Sequence, residues 1–214
     1  MGVLIFANGE MPEMAWTRPF LSQSSHVIAA DGGTRHLFRL GVLPDVVIGD
    51  MDSLPAEVEM WLTEAGTEMI RYNSVKDETD LEIALLYAKK FDEEIFIFGA
   101  LGGRLDQMLA NILLLAHPAL CDCSITLVEQ YEHAWLVTGR MEFEGQIGDT
   151  VSLIPLEGDV EVKETSGLRW PLIDNVLSFG LARGVSNVMT AVLATVEVVS
   201  GKLLCIHTLD HKKE

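Results

Sequence analysis

The stretch IFIFGALGGRLD, residues 95–106, decides the fold of this 214-residue chain. Its first four residues are all apolar and either β-branched or aromatic, as is typical of a buried strand. A glycine-rich loop follows at residues 99–103. Beyond it, apolar residues fall on one face of a predicted helix, namely Leu105, Leu109, Ile112 and Leu113. A strand, a short loop and a helix in this order form the repeating unit of an α/β domain.

The same unit recurs on both sides of this stretch. Further β-like apolar runs lie at Val3–Ala7, Val27–Ala30, Val46–Ile48 and Ile125–Val128. A second helical face is formed by Leu81, Ala84, Leu85 and Ala88. Because strands and helices alternate, we predict an N-terminal α/β domain over residues 1–129, with a Rossmann-like parallel sheet and flanking helices.

The pattern changes after about residue 130. The apolar segments there are β-branched and are separated by Gly, Asp or Pro turns: Ala134–Val137, Val151–Ile154, Val160–Val162, Val188–Val199 and Leu203–Thr208. The residues Ser200-Gly201-Lys202 predict a hairpin turn between the last two segments. We therefore predict a second, all-β domain over residues 130–214, a small sandwich or barrel.

Charge and composition exclude several classes of protein. The net charge of −17 argues against general nucleic-acid binding, which needs basic surface to neutralise phosphates, so any phosphate binding must be local and assisted by a cation. Three cysteines without the paired spacing of a zinc site favour a reduced, cytoplasmic protein. The first residues lack the basic leader of a signal peptide, and no apolar run approaches the roughly 18 residues of a membrane span.

Three acidic motifs accompany the glycine loop: Asp31-Gly32-Gly33, Asp50-Met51-Asp52 and Asp77-Glu78-Thr79-Asp80. The first two directly follow a β-like apolar run, as the glycine loop does. In an open parallel sheet the carboxyl ends of the strands lie at one edge, where ligands bind. Carboxylates that are distant in sequence are therefore expected to meet there. They would repel one another unless a cation joined them, so the set predicts a site for Mg²⁺ and a polyphosphate.

Each motif alone also has a purely structural interpretation. Asp50 and Asp52 are either two carboxylates facing one cation or solvated loop residues ahead of a helix. Thr79 with its neighbour three residues on fits a capping box, and Asp80 in the first turn suits the helix dipole. The glycine loop lacks both the Walker A lysine and the spacing of the dinucleotide fingerprint, so a tight turn explains it equally well.

Taken in order, these motifs resemble the thiamine pyrophosphokinase (thiamine diphosphokinase) family. The second half of the chain adds SGLRWPL at residues 166–172 and GVSN at residues 184–187, which are similar to that family's substrate-domain motifs. The resemblance implies transfer of the pyrophosphoryl group of ATP to the hydroxyl of thiamine, giving thiamine diphosphate and AMP. It also implies a homodimer with sites between subunits.

The resemblance further implies roles for the acidic residues. The Mg²⁺ ligands would be Asp50, Asp52 and Asp80. The catalytic set would be Asp31, Asp52, Asp80, Arg104 and Asp106, in which either Asp31 or Asp106 orients or deprotonates the thiamine hydroxyl.

Other residues would hold the two substrates. Those that contact ATP phosphates would be Lys76, Gly102, Gly103, Arg104 and Gln107, although the family commonly has His at the last position. Trp170 would stack on the cationic thiamine rings, and Ser186 and Asn187 would hydrogen-bond the aminopyrimidine. Without the family, the sequence favours a core aromatic ahead of a proline turn as the explanation of Trp170.

Two other functions remain open at this point. A nucleotide-sugar transferase with a metal-binding Asp-x-Asp would account for Asp50 and Asp52 but not for the motifs of the second half. A non-catalytic nucleotide or thiamine sensor would share the fold, yet a pure binder does not need so many metal-facing carboxylates. None of the six histidines shows metal-ligand spacing.

Overall fold

The structure is a computed structural model that describes residues 1–52, 54–73 and 77–210. It forms two compact units, Met1–Gln130 and Tyr131–Glu214. In the described parts of the chain, no helix is long and apolar enough to cross a membrane.

The first unit is built on a parallel sheet. Its described strands are β1 (Gly2–Phe6), β2 (His26–Ala30), β3 (Val46–Gly49), β4 (Glu68–Arg71), β5 (Glu94–Phe98) and β6 (Ile125–Val128). They lie in the order β6-β5-β1-β2-β3-β4, and each pairing is parallel. The predicted α/β class is confirmed, and the carboxyl ends of all these strands point to the same edge.

Helices connect the strands of this sheet. They are α1 (Arg18–Leu21), α2 (Thr34–Leu40), α3 (Ala56–Ala65), α4 (Asp80–Ala88) and α5 (Leu105–Leu114). Short 3-10 turns lie at Ala15–Thr17, Asp31–Gly33, Lys89–Phe91 and Pro118–Leu120. The helix α3 ends at Gly66, whose φ of 73° is the left-handed conformation that glycine adopts without a Cβ penalty.

The core of the first unit lies between the central strands and the helices. Phe6 on β1 and Phe98 on β5 are fully buried and stack with ring centroids 5.0 Å apart. Leu37 of α2 and Leu62 of α3 are also fully buried in the same cluster. Each such side chain contributes roughly 1.5–3 kcal/mol of burial free energy, which holds the loops at the sheet edge on a rigid base.

The second unit is an antiparallel β structure. Its strands are β7 (Glu132–Val137), β8 (Arg140–Glu144), β9 (Thr150–Ser166), β10 (Ile173–Leu177), β11 (Asn187–Val188) and β12 (Leu193–Thr208). The two long strands β9 and β12 pair with each other. The strands β10 and β11 both pair with β9, whereas β7 and β8 both pair with β12. This unit confirms the prediction of a β-rich C-terminal domain.

Two local predictions for this unit are wrong. The segments at 151–154 and 160–162 belong to one strand, β9, and the residues 200–202 lie inside β12 rather than in a hairpin turn. The register between β12 and β9 shifts repeatedly between Glu197 and Leu203. Bulges of this kind bend a strand without ending it, so the glycine that suggests a turn instead marks a bend.

The helix α5 lies where it was predicted, but its apolar face is not buried. Leu105, Leu109 and Leu113 are 78%, 55% and 48% exposed, whereas the polar Asn111 is buried. Helical spacing identifies residues that share a face, but it does not tell what that face contacts. Here the polar face of α5 lines a cavity at the sheet edge.

Candidate functional site

A cavity of about 960 Å³ lies at the carboxyl edge of the parallel sheet. Five chain segments line it. They are residues 7–10 after β1, the end of β2 and the start of α2 with Ala30, Asp31 and Arg35, the residue Asp50 after β3, residues 78–81 at the start of α4, and the glycine loop and α5 with Ala100, Gly102, Gly103, Arg104, Gln107 and Asn111. The predicted convergence of these loops is therefore observed in the first unit. The cavity is large enough for a nucleotide-sized ligand.

Carboxylates act on one another at this edge. Asp31, Asp50 and Asp80 line the cavity, and the Asp52 N–H donates to Asp50 Oδ1 at 3.3 Å. A side-chain hydrogen bond with Asp50 raises the pKa of Asp52, and the negative charges of Asp50, Asp31 and Asp80 raise it further. Residues from three separate motifs thus form one acidic cluster that favours a cation.

The backbone around Asp31 and Asp50 explains this proximity. A Cβ added at Gly49, the last residue of β3, would lie 2.8 Å from the Asp31 Cβ. Only glycine therefore allows β3 to end against the loop that follows β2. Asp31 and Met51 themselves adopt positive φ angles of 40° and 59°, which are uncommon for residues with a side chain and are frequent at functional sites.

The start of α4 contains both a helix cap and a residue of the cavity, the two interpretations that its sequence allowed. The Thr79 hydroxyl accepts a hydrogen bond from the Glu82 N–H at 3.1 Å, so Thr79 is the N-cap. Asp80, the first residue of the helix, lines the cavity. The Glu82 carboxylate lies 3.4 Å from His117 Nε2. The cap therefore sets the direction of the helix start and with it the position of Asp80.

The glycine loop packs tightly against the segment after β1. The Gly9 N–H donates to Gly99 O at 2.8 Å, and a Cβ at Gly102 would lie 2.4 Å from Glu10 O. On the other side, Asn111 Nδ2 donates to Ala100 O at 2.8 Å. These contacts require small residues and fix the loop between β1 and α5.

Arg104 and Asp106 form an ion pair at the rim. Arg104 Nη2 and Nε lie 2.5 Å and 3.1 Å from the two carboxylate oxygens of Asp106. This contact with Arg104 lowers the pKa of Asp106. The predicted phosphate-binding residues Arg104, Gly102, Gly103 and Gln107 line the cavity, and Asp106 faces the guanidinium. The predicted phosphate ligand Lys76 lies outside the described residues.

Several lining residues were not predicted. They are Asn8, Gly9, Glu10, Arg35 and Asn111. Asn8-Gly9-Glu10 directly follows the first strand, so the rule that selected the other loops would have selected this one. Arg35 and Asn111 carry no such signal, because each is a single polar residue on a helix.

The predicted thiamine residues lie together in the second unit. Trp170 is 58% exposed, and the Arg169 Cζ lies 5.6 Å from the centroid of its ring. The buried side chain of Asn187 accepts from the Trp170 N–H at 3.1 Å and donates to Trp170 O at 2.7 Å. The Ser186 N–H donates to Ser152 Oγ at 3.1 Å. Trp170 is thus an exposed, positioned aromatic rather than a core residue.

Metal-ligating side chains are not preassembled around a point. In the residues that the structure describes, no group of three or more His, Cys, Asp and Glu side chains is placed to hold an ion. Mg²⁺ is usually held by one or two carboxylates together with substrate phosphates, so a pair such as Asp50 and Asp52 fits this ion without a closed cage.

Both units match models of known families. Residues 17–127 match the thiamin pyrophosphokinase catalytic domain, and residues 140–203 match the thiamin pyrophosphokinase vitamin B1 binding domain. A thiamine pyrophosphokinase of Bacillus subtilis (strain 168) is 30% identical over 86% of this chain and 87% of its own length. Thiamine pyrophosphokinase 1 of Arabidopsis thaliana is 28% identical over 95% of this chain and 85% of its own.

Solved structures give the same result. A thiamin pyrophosphokinase of Geobacillus thermodenitrificans superposes with a TM-score of 0.87 at 27% identity, covering 99% of each chain. A thiamine pyrophosphokinase of Bacillus subtilis superposes with a TM-score of 0.86 at 27% identity, covering 97% of this chain and 99% of its own. The similarity therefore extends over both units.

Proposed function

We propose, because this chain belongs to the thiamine pyrophosphokinase family, that it transfers the pyrophosphoryl group of ATP to the hydroxyl of thiamine. The observation that most supports a reaction site in the first unit is the acidic cavity at the sheet edge. The nucleotide-sugar transferase and the sensor are not supported, since neither explains a match to a catalytic domain and a vitamin B1 binding domain in one chain.

The reaction requires alignment and charge neutralisation. The thiamine hydroxyl oxygen bonds to the β-phosphorus, the bond from that phosphorus to the bridging α,β-oxygen breaks, and AMP leaves. Phosphoryl-type transfers depend mainly on positioning and electrostatic stabilisation. We assign Asp31 to orient the hydroxyl and accept its proton, because Asp31 lines the cavity whereas Asp106 is held by Arg104.

Phosphate binding is assigned to the rim of the glycine loop. Arg104 presents a planar guanidinium, which suits phosphate oxygens, and its pairing with Asp106 keeps it in place. Gly102 and Gly103 allow the backbone to approach an anion closely, and Gln107 offers an amide one turn into α5. The chain thus provides both a charged and a neutral set of donors.

We propose Mg²⁺ as the cofactor, with Asp50, Asp52 and Asp80 as its protein ligands. The raised pKa of Asp52 supports this in its second cause: after the side-chain hydrogen bond with Asp50, the negative charges of Asp50, Asp31 and Asp80 raise it, and a cation would relieve that repulsion. Carboxylate oxygens are the hard ligands that this ion prefers. When bound, the metal would neutralise negative charge on the transferred phosphates.

The reaction products test the function directly. We expect the protein, incubated with ATP, Mg²⁺ and thiamine, to form AMP and thiamine diphosphate in equal amounts, which chromatography of the mixture measures. Omission of Mg²⁺ with a chelator present serves as the control. Formation of ADP and thiamine monophosphate would contradict the transfer of a pyrophosphoryl unit.

Trp170→Ala should weaken thiamine binding. The indole is exposed, so it is free to stack on the cationic ring of thiamine. Such contacts contribute about 0.5–2 kcal/mol, so KM for thiamine should rise by about 2- to 30-fold. KM for ATP and the melting temperature should stay near wild type, since the side chain is largely in solvent. The exposed Phe179→Ala in the same unit is a matched control. An unchanged KM for thiamine would remove Trp170 from the site.

We also propose a cytoplasmic homodimer. The exposed apolar residues Leu105, Leu109 and Leu113 on α5, with Ile173 and Val176 on β10, are surfaces that a second copy would cover. Cys121, Cys123 and Cys205 are all free thiols, as a reducing compartment favours. Sedimentation equilibrium would show twice the chain mass of 23.6 kDa.

A further inference from the structure

Arg35 is a cation of the cavity to which the proposed mechanism gives no role. It lies on α2 and lines the cavity with its side chain in solvent. Two hydrogen bonds fix its guanidinium: Nε donates to Gly32 O at 3.3 Å, and Nη2 donates to Asn8 Oδ1. Both acceptors belong to segments that follow parallel strands, so the guanidinium is anchored at the same edge as the acidic cluster.

The charge environment of Arg35 differs from that of Arg104. Arg104 is paired with Asp106, whereas no carboxylate within residues 1–52, 54–73 and 77–210 lies at ion-pair distance from Arg35. A guanidinium carries five N–H donors, and the two contacts use two of them. Arg35 therefore keeps a full positive charge and free donors at a cavity that several acidic side chains line.

The acidic lining makes a fixed cation necessary for an anionic ligand. Glu10, Asp31, Asp50 and Asp80 line the same cavity and repel phosphate groups. A bound cation offsets part of this repulsion, but a guanidinium also supplies direction, because its planar fork matches two phosphate oxygens. Arg35 combines charge, free donors and a fixed position and, unlike Arg104, it has no carboxylate partner among the described residues.

We propose that Arg35 binds phosphate oxygens of the nucleoside triphosphate and that Asn8 is the positioning residue that holds its guanidinium. The inference rests on the proposed function, since it names a further binding residue for the same reaction. It assigns a task in ligand binding to the segment after β1, which also contacts the glycine loop through Gly9 and Gly99.

The test compares phosphate binding in variants of Arg35. In Arg35→Gln, KM for ATP should rise by about 10- to 100-fold, the range expected for a lost hydrogen bond to a charged group, while KM for thiamine stays unchanged. The inhibition constant of inorganic tripolyphosphate, which has no nucleoside, should rise by the same factor. Arg35→Lys keeps the charge but not the fork, so a smaller rise is expected.

Two further variants act as controls. Arg39→Gln removes the same charge from an exposed position of α2 that does not line the cavity, and it should leave both constants unchanged. Asn8→Ala should raise the same two constants as Arg35→Gln but by less, because the guanidinium remains present without its anchor. A melting curve of each variant separates a loss of stability from a loss of binding.

Results that would contradict the role of Arg35 differ from results that would contradict the proposed function. An unchanged KM for ATP in an active Arg35→Gln enzyme would overturn the proposal. A raised KM for ATP with an unchanged tripolyphosphate constant would place Arg35 on the nucleoside and also overturn it. Absence of AMP formation by the wild-type protein would count against the proposed function alone, because calorimetry still measures how Arg35→Gln changes tripolyphosphate binding.

Discussion

Asp52→Asn is expected to abolish pyrophosphoryl transfer while leaving the protein folded. The carboxylate is exposed, and its closest interaction is a contact with Asp50, a like-charged group that already raises its pKa. Its removal therefore costs little stability, but it takes away a proposed metal ligand. We expect kcat/KM to fall by about a thousandfold, as when one preorganised charge-stabilising group is lost, and the melting temperature to stay constant or rise slightly.

The controls for this variant address charge and metal. Glu64→Gln removes an exposed carboxylate from α3, away from the cavity, and should keep full activity. In Asp52→Asn, the residual activity should saturate at a higher Mg²⁺ concentration than in wild type. Full activity of Asp52→Asn would assign the residue to a solvated loop, and a large fall in melting temperature would assign it to the structure.

Asp149→Asn is expected to lower the free energy of unfolding strongly, more than any of the substitutions at the cavity. Asp149 is 1% exposed and accepts three hydrogen bonds, from the Gln146 N–H at 2.8 Å, the Asp210 N–H at 3.0 Å and His207 Nε2 at 2.8 Å. An amide group keeps one acceptor oxygen and replaces the other by an NH2 donor, so at least one of the three buried donors would face another donor and lose its partner. Such a loss costs about 3–5 kcal/mol, which urea unfolding measures.

A matched variant and the pH dependence check this assignment. Glu161→Gln changes an exposed carboxylate of β9 and should alter the free energy of unfolding by less than about 0.5 kcal/mol. Burial acts to raise the pKa of Asp149, but the backbone N–H groups of Gln146 and Asp210 and the ring of His207 outweigh it, so the pKa lies below its usual value.

The sign of the pH effect follows from this lowered pKa. A carboxylate with a lower pKa in the folded state stabilises the fold above its unfolded pKa of about 3.9 and loses that contribution as the pH falls through the folded value. Wild type should therefore lose stability below about pH 4 more steeply than Asp149→Asn. Equal slopes in both proteins would show that Asp149 does not couple folding to protonation.

The acidic site was predictable because the order of strands in a parallel sheet determines which loops lie at the same edge. Asp31 and Asp50 each follow a buried strand, and in a parallel sheet the ends of such strands lie at one edge. Asp80 follows no predicted strand, and it reaches this edge because it starts α4. The rule needs only the order of strands and helices, which hydrophobic periodicity reveals. It would also have found Asn8, which follows the first strand in the same way.

The contacts of individual side chains were not predictable in this way. The apolar stripe of α5 is correctly recognised as a helical face, yet Leu105 and Leu109 are exposed while Asn111 is buried against the glycine loop. Similarly, Gly201 reads as a turn residue but lies within β12. Periodicity describes one element at a time, whereas burial depends on what other elements place beside it.

The order of residues alone specifies the alternation of strands and helices, the change to β structure near residue 130, and the loops that carry carboxylates. These features depend on neighbours in sequence, through backbone conformation and side-chain periodicity. Tertiary structure is needed to pair His207 with Asp149, Asn187 with the backbone of Trp170, and Arg35 with Asn8. Each of these contacts joins side chains distant in the chain, and their geometry exists only once separate strands and helices have packed together.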